Sequence, residues 1–230
     1  MKRFYREATA ARTESGWEIR LDDRPVKTPA RRPLRLPTAA LAEAVADEWR
    51  AQGDKVDPRS MPLTGLANAA IDRIAPDPQA FARGLASYGE SDLLCYRADG
   101  PEPLVRRQGG AWDPLLAWAR NRFDIDFEVT TGVIHCPQPE RTVEQLARAV
   151  SARDPFRLAA LSPIVTISGS LIIALALDEQ AVDLDTAWLA ATVDEAWQAE
   201  QWGEDAEATV RMEARRWEFE DAHRFRLTLG

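Results

Sequence analysis

The chain of 230 residues is poor in the side chains that most often carry chemistry. It has two cysteines, Cys95 and Cys136, and two histidines, His135 and His223. Two cysteines make no disulfide framework, and a chain of this length buries enough surface to need none. A reducing compartment is therefore the expectation. Zinc sites bring paired ligands on short spacers, and here only His135 and Cys136 are neighbours, so no metal is expected. The glycine-rich GxGxxG loop, the Walker A loop and HExxH are all missing, which leaves no signal for a nucleotide or other cofactor. Ser168-Gly169-Ser170 sits inside an apolar helical run, not in the strand-to-helix setting of a nucleophile elbow, and small residues there allow close helix packing.

Positive charge is in deficit as well. A formal net charge of -8 lacks the basic footprint of a nucleic-acid binder and disfavours an anionic membrane surface. The apolar run Ile164–Leu177 is shorter than the roughly 20 residues a membrane span needs, and Thr166, Ser168 and Ser170 interrupt it. It reads as one buried core helix, with no membrane insertion expected. The opening MKRFYREATA has neither the apolar core of a signal peptide nor the Arg/Ser bias of a presequence. A bacterial cytoplasm is expected, or a mitochondrial matrix for a processed organellar form.

What is present divides in two. Gly16–Leu21 alternates with period two, Asp22–Pro25 reads as a turn, Val26–Thr28 as a return strand, and Leu34–Leu36 alternates again. Pro25, Pro29, Pro33 and Pro37 forbid a helix in this stretch. From Thr38, a candidate cap, the pattern turns helical with Leu41, Val45 and Trp49 on one face. Further helices are expected from Ser60 to about Ala75, from Asp77-Pro78, over Trp112–Arg122, Thr142–Ala152 and Asp154–Leu161, and from Ser162 to Leu177. Asp185 is the expected cap of a long helix through Trp202, which Gly203 stops or kinks. Glu204–Ala222 then continues with Ala206, Val210, Ala214 and Trp217 on one stripe. Phe123–His135 and Phe225–Leu227 read as strands, and Arg106-Arg107 as an exposed turn. The fold class is α+β: a small N-terminal β-rich domain with its following helix over residues 1–55, then a mostly helical domain over 56–230.

The densest feature is Asp194–Ala208. It carries Asp194, Glu195, Glu200, Glu204, Asp205 and Glu207 with two indoles, Trp197 and Trp202, and no Lys, Arg, Ser, Cys or His. An active site needs a nucleophile, a tuned acid/base pair or a metal cage. Carboxylates beside large apolar rings suit gripping another protein. Glu195, Trp197, Glu200, Trp202, Glu204 and Asp205 are thus the candidate partner-binding residues, with none assigned to catalysis, to a metal or to a small-molecule substrate. The rival reading is a small hydrolase or lyase with Glu200 and Glu204, four apart on one helix face, as acid and base. The basic segment Val26–Arg32 is a second candidate contact, for phosphate or an acidic partner, or a charged hairpin edge that blocks strand addition.

Several motifs, in order, resemble one family. They are Arg24-Pro25-Val26-Lys27-Thr28-Pro29, Ala46-Asp47-Glu48-Trp49, Met61-Pro62-Leu63-Thr64 with Leu66-Ala67-Asn68, and Asp92-Leu93-Leu94-Cys95-Tyr96-Arg97. Trp112-Asp113-Pro114-Leu115, Ser162-Pro163-Ile164-Val165 and Glu195-Ala196-Trp197-Gln198-Ala199-Glu200-Gln201-Trp202-Gly203 follow. Nearly end to end, the chain resembles the assembly chaperones that bind the free alpha subunit of the soluble head of F-type ATP synthase. The resemblance implies a small β domain before a larger helical one, no enzymatic activity and no nucleotide cycle. It implies a placeholder on the alpha-subunit surface that later meets the beta subunit, released by competition from that partner.

Overall fold

A computed structural model describes residues 2–203 and 205–230. The architecture is α+β, with strands gathered at the start of the chain and helices through the rest. Two compact units divide it: Met1–Pro78 with Arg153–Ala160 and Asp221–Gly230, and Gln79–Ala152 with Leu161–Glu220.

In the first unit β1 (Ala8–Thr13) and β2 (Gly16–Leu21) form an antiparallel hairpin, Ala8 opposite Leu21 and Thr13 opposite Gly16. Gly16 has φ +123°, and a Cβ there would lie 2.7 Å from the Leu36 carbonyl oxygen, so glycine alone fits. β3 (Arg24–Pro25) returns along β2 after a turn at Asp22, whose φ is 52°. The Asp22 carboxylate accepts the backbone N–H groups of Arg6 and Glu7, each at 3.0 Å. Those hydrogen bonds hold it below the usual carboxylate range. β4 (Arg35–Leu36) also pairs with β2, opposite Trp17 and Glu18. Along β2 the alternation is legible in Ile19 and Leu21 buried with Arg20 exposed between them. Glu18 breaks it, since it is buried yet accepts from Arg20 at 2.9 Å and Arg35 at 2.6 Å.

Thr38 caps α1 (Ala39–Arg50), its Oγ1 accepting the Leu41 N–H at 3.1 Å. The helix buries Leu41 and Val45, and Trp49 packs with Tyr5, Ala8, Leu21, Val56 and Met61. α2 (Pro62–Ala69) starts without a side-chain cap of its own. Buried Glu48 of α1 supplies one, accepting the Leu63 and Thr64 N–H groups at 2.7 and 2.8 Å and the Thr64 hydroxyl at 2.7 Å. A π-helical turn, Ala70–Ile74, follows. Its Asp72 accepts the Thr28 hydroxyl at 2.7 Å and the Ala30 N–H at 2.9 Å, which pins the loop carrying Lys27, Arg31 and Arg32.

α3 (Pro78–Ala86) leads into the second unit, followed by β5 (Tyr96–Arg97), α4 (Glu102–Phe123), β6 (Thr130–Thr131) and α5 (Glu140–Ser151). Then come α6 (Pro155–Ser168), α7 (Leu171–Asp178), α8 (Leu184–Ala191), α9 (Val193–Trp202) and α10 (Ala206–Leu227). At the centre lies α7, buried at every residue and packed against α4 and α8. A helix apolar on all sides must be enclosed on all sides. Ser170 caps it, accepting the Ile173 N–H at 3.0 Å and donating its own hydroxyl to Asp92 at 2.7 Å. Asp92 also accepts the N–H groups of Ile172 and Leu94 at 3.0 and 3.1 Å. Trp112 of α4 is buried and donates its indole N–H to the Ala190 carbonyl of α8 at 2.8 Å. Among the described residues no helix is long and apolar enough to cross a membrane.

Several local expectations are corrected. Ile164–Leu177 is two helices. α6 runs through Pro163 to Ser168, Gly169 turns the chain at φ 66°, and α7 restarts after Ser170. Asp183, not Asp185, caps α8 by accepting the Thr186 N–H at 2.8 Å, and that helix stops at Thr192 before α9 begins. In Phe123–His135 only Thr130-Thr131 pairs as a strand, with Tyr96-Arg97. Ile125 and Phe127 are buried without a ladder, so their alternation records packing alone. Arg106 and Arg107 lie in α4, and Phe225–Leu227 ends α10. The stripe of Ala206, Val210, Ala214 and Trp217 faces solvent, Val210 and Trp217 being 65% and 66% exposed. Phe219, Ala222 and Phe225 are the apolar side chains that α10 buries, with Arg226 beside them.

Candidate functional site

The acidic, indole-bearing segment forms α9 and the first turns of α10. α9 stands on buried Val193 and ends at Gly203, whose φ of 86° stops the helix. Asp194 is held by a relay. The buried Gln108 of α4 donates to Asp194 at 2.7 Å and accepts the Ala98 N–H at 2.8 Å. One amide thereby ties α9 to the loop after β5.

The candidate partner-binding residues part company here. Glu195 is half-buried and pairs with Arg215 at 3.2 Å, and Arg215 also donates to the Ile167 carbonyl at 2.8 Å. Glu200 is exposed and accepts both terminal nitrogens of Arg107, at 2.8 and 2.9 Å. That hydrogen-bonded guanidinium holds the Glu200 carboxyl below its ordinary range. The same Arg107 guanidinium lies 5.5 Å from the ring centroid of half-buried Trp197. Trp202 is 79% exposed. Asp205 is exposed and turned to local use, its Oδ1 accepting the Glu207 N–H at 3.2 Å at the start of α10. Glu204 lies outside the described residues.

Trp197 and Trp202 line one side of an open groove with a volume of about 660 Å³. Leu93, Tyr96, Pro101 and Leu104 supply apolar surface, and Gln198 and Gln201 bring amides from α9. The loop after β6 completes it. Gly132 donates to the Arg97 carbonyl at 2.8 Å and is followed by Val133, which also lines the groove. Val133 and the adjacent Ile134 are 95% and 82% exposed. On the loop's other flank the Tyr96 hydroxyl meets His135 Nδ1 at 3.3 Å.

An enzyme pocket encloses its ligand and aims a few polar groups inward. This groove is walled by exposed apolar side chains, and the neighbouring Glu200 is locked to an arginine. A carboxyl held ionised in that way makes a poor general acid near neutrality. Among the described residues, no group of three His, Cys, Asp or Glu side chains is placed to hold a metal ion.

Sequence reasoning singled out the indoles, because they stand beside acids, but missed Val133 on the groove's other side, the adjacent Ile134, and Arg107, which holds Glu200 and Trp197. Arg107 and Glu200 are 93 residues apart, a separation that no local pattern spans. The Gly132-Val133-Ile134 tip falls inside the strand expected over Phe123–His135 from the alternation of Ile125, Phe127 and Val129.

Comparison with known proteins follows the same outline. A family described as "ATP12 chaperone protein" matches residues 2–120. The crystal structure of Atp12 from Paracoccus denitrificans is similar over 100% of this chain and 98% of its own, with 44% identity and a TM-score of 0.95. The structure of the Atu1473 protein from Agrobacterium tumefaciens is similar over 100% of this chain and 86% of its own, at 43% identity and a TM-score of 0.95.

Proposed function

The chain belongs to the ATP12 chaperone family, whose members assist ATP synthase assembly, and from that premise we propose that it binds the free alpha subunit of F-type ATP synthase. It covers the face of that subunit that later meets its neighbour in the catalytic head, and it leaves when the neighbour competes for the same face. An unassembled subunit interface is apolar and prone to aggregate, which is the hazard such cover removes. The role is binding without turnover or cofactor, in the bacterial cytoplasm where the client is made.

The observation that carries this reading is the exposed apolar pair Trp202 and Val133 lining an open groove, with the exposed Ile134 next to Val133 in the chain. Monomeric proteins rarely leave such clustered apolar surface uncovered without a partner for it. We place the client contact on Trp197 and Trp202, with Glu195, Glu200, Glu204 and Asp205 as its acidic surround. Apolar anchors ringed by charge are the arrangement that concentrates binding energy at a protein interface.

The test is direct. Purified alpha subunit is diluted from denaturant with and without this chain, and light scattering and size-exclusion profiles are recorded. Suppressed scattering and a co-eluting complex are expected, with beta subunit then displacing the chaperone. Failure to form any complex with alpha, or equal affinity for beta, sinks the reading.

A further inference from the structure

Resting on that client reading, we propose that the Val133-Ile134 loop and Trp202 grip a single segment of the client, an extended apolar stretch that carries lysine or arginine. The two sides come from different elements. One is the end of α9, with Trp197 and Trp202; the other is the tip of the loop after β6. The loop leaves its strand at Gly132, which is held to the Arg97 carbonyl, so its root is fixed while its apolar tip stands in water. Two β-branched residues at such exposure have no packing role within the chain. Against a partner they offer stiff apolar contact with little rotamer entropy to lose.

The charge around the groove specifies the occupant. Its one lining arginine, Arg97, is already engaged by Asp113 at 2.7 Å, and Arg107 beside it by Glu200. Two lining acids have no cationic partner among the described residues. Asp99 is exposed and makes no ion pair, and Asp194 accepts only from the neutral amide of Gln108. A cationic client residue neutralises that surplus, whereas an acidic one is repelled. Gln198 and Gln201 line the same groove, exposed and without hydrogen-bond partners among the described residues. An amide offers both a donor and an acceptor, the pairing that an extended backbone needs. Apolar walls, free amides and uncompensated acid together select an extended cationic apolar segment.

The experiment uses the full-length chain, isolated alpha subunit, and two labelled peptides of about fifteen residues, the length of an extended recognition segment. Both alternate valine or leucine with a charged residue, lysine in one and glutamate in the other. Fluorescence anisotropy gives each affinity, and thermal melts check folding. The double substitution Val133→Ser with Ile134→Ser is expected to weaken both the lysine peptide and alpha subunit about ten-fold or more, with an unchanged melting temperature. Asp99→Lys is expected to remove the preference for the lysine peptide over the glutamate peptide, and it keeps the test open if the double variant folds poorly. Trp217→Ser, on the exposed face of α10 and outside the groove, should leave both affinities alone. If wild type captures alpha subunit and the loop and Asp99 variants match it, the groove inference is wrong and the chaperone reading stands. If wild type ignores alpha subunit but binds the lysine peptide in a loop-dependent way, the client reading is wrong and the groove inference stands. Equal binding of the two peptides by wild type overturns the charge argument.

Discussion

Asp92 tests whether burial or hydrogen bonding governs the core of the helical unit. Its carboxylate is fully buried and accepts from Ser170 Oγ, Ile172 N and Leu94 N at 2.7, 3.0 and 3.1 Å. Replacement by alanine leaves two backbone N–H groups without an acceptor, at about 1–3 kcal/mol each, while the hydroxyl can turn elsewhere. Against that loss stands the cost of keeping a charge in the core. Burial pushes the carboxyl up from 3.8 to about 6, which corresponds to about 3 kcal/mol against the ionised form at pH 7. Two losses of about 1–3 kcal/mol each against about 3 kcal/mol of relief put the cost of Asp92→Ala at about 3 kcal/mol or less at pH 7. The sign of the pH effect follows from proton counting. Between about pH 4 and 6 the folded state holds the Asp92 proton more tightly than the unfolded state does, so this residue's contribution to stability falls as pH rises through that window. The alanine variant lacks this dependence. Its deficit should thus grow on acidification, by about 2 kcal/mol from pH 7 to pH 4.5. Urea titrations followed by tryptophan fluorescence at pH 4.5, 5.5 and 7 measure it, other carboxylates cancelling between the two proteins. A deficit that shrinks on acidification refutes the reasoning, because it places Asp92 below the ordinary carboxylate range, where its N–H donors outweigh burial.

Leu175→Ala, in the enclosed α7, should cost about 3–5 kcal/mol in the same titration, and less than about 2 kcal/mol means that the neighbours collapse into the space. Gly16→Ala combines a positive φ with a Cβ placed 2.7 Å from the Leu36 oxygen, so a loss of about 2 kcal/mol or more is expected, and a neutral outcome shows that the β1–β2 turn relaxes. Glu200→Gln should leave the melting temperature near wild type and, because Arg107 already neutralises that carboxylate, alter alpha-subunit capture little; a loss larger at low salt than at high salt means that Glu200 itself meets the client. A salt-independent effect assigns the loss to the Trp197–Arg107 stack and not to charge.

Legibility in the sequence followed distance along the chain. Thr38 as a cap, the β2 strand with its turn at Asp22 and the Asp-Pro helix starts were readable because each device closes within a few residues, whereas β1, the other arm of the hairpin, was not read. Three of the residues that carried the family resemblance turn out to be internal fastenings whose partners lie far away. Glu48 caps the helix opened by Pro62, Thr28 donates to Asp72, and Asp92 accepts from Ser170. Their motif character comes from buried hydrogen bonding, which admits few substitutes. The groove is the opposite case. Val133 and Ile134 are 95% and 82% exposed, so packing among the described residues does not dictate their identity. The α10 stripe misled for a related reason. Periodicity finds an apolar face but cannot say whether the chain or a partner covers it.

The acids that drew attention first are therefore not the simple electrostatic bait that their density suggested. Glu195 and Glu200 are already paired with Arg215 and Arg107, and Asp205 serves the first turn of α10. Breaking an exposed pair to form a similar one with a client returns little, since such pairs contribute only about 0–1 kcal/mol each. Charge left over sits at Asp194, which opens the acidic segment, and at Asp99, both lining the apolar groove. Steering and holding are thereby assigned to different side chains. On the proposed reading, uncompensated acid raises the rate of encounter with a basic client and weakens with salt, while Trp202, Val133 and Ile134 set how long the client stays. A placeholder needs that division. It must meet its client quickly, and it must hold it by apolar contacts that the incoming subunit can outcompete.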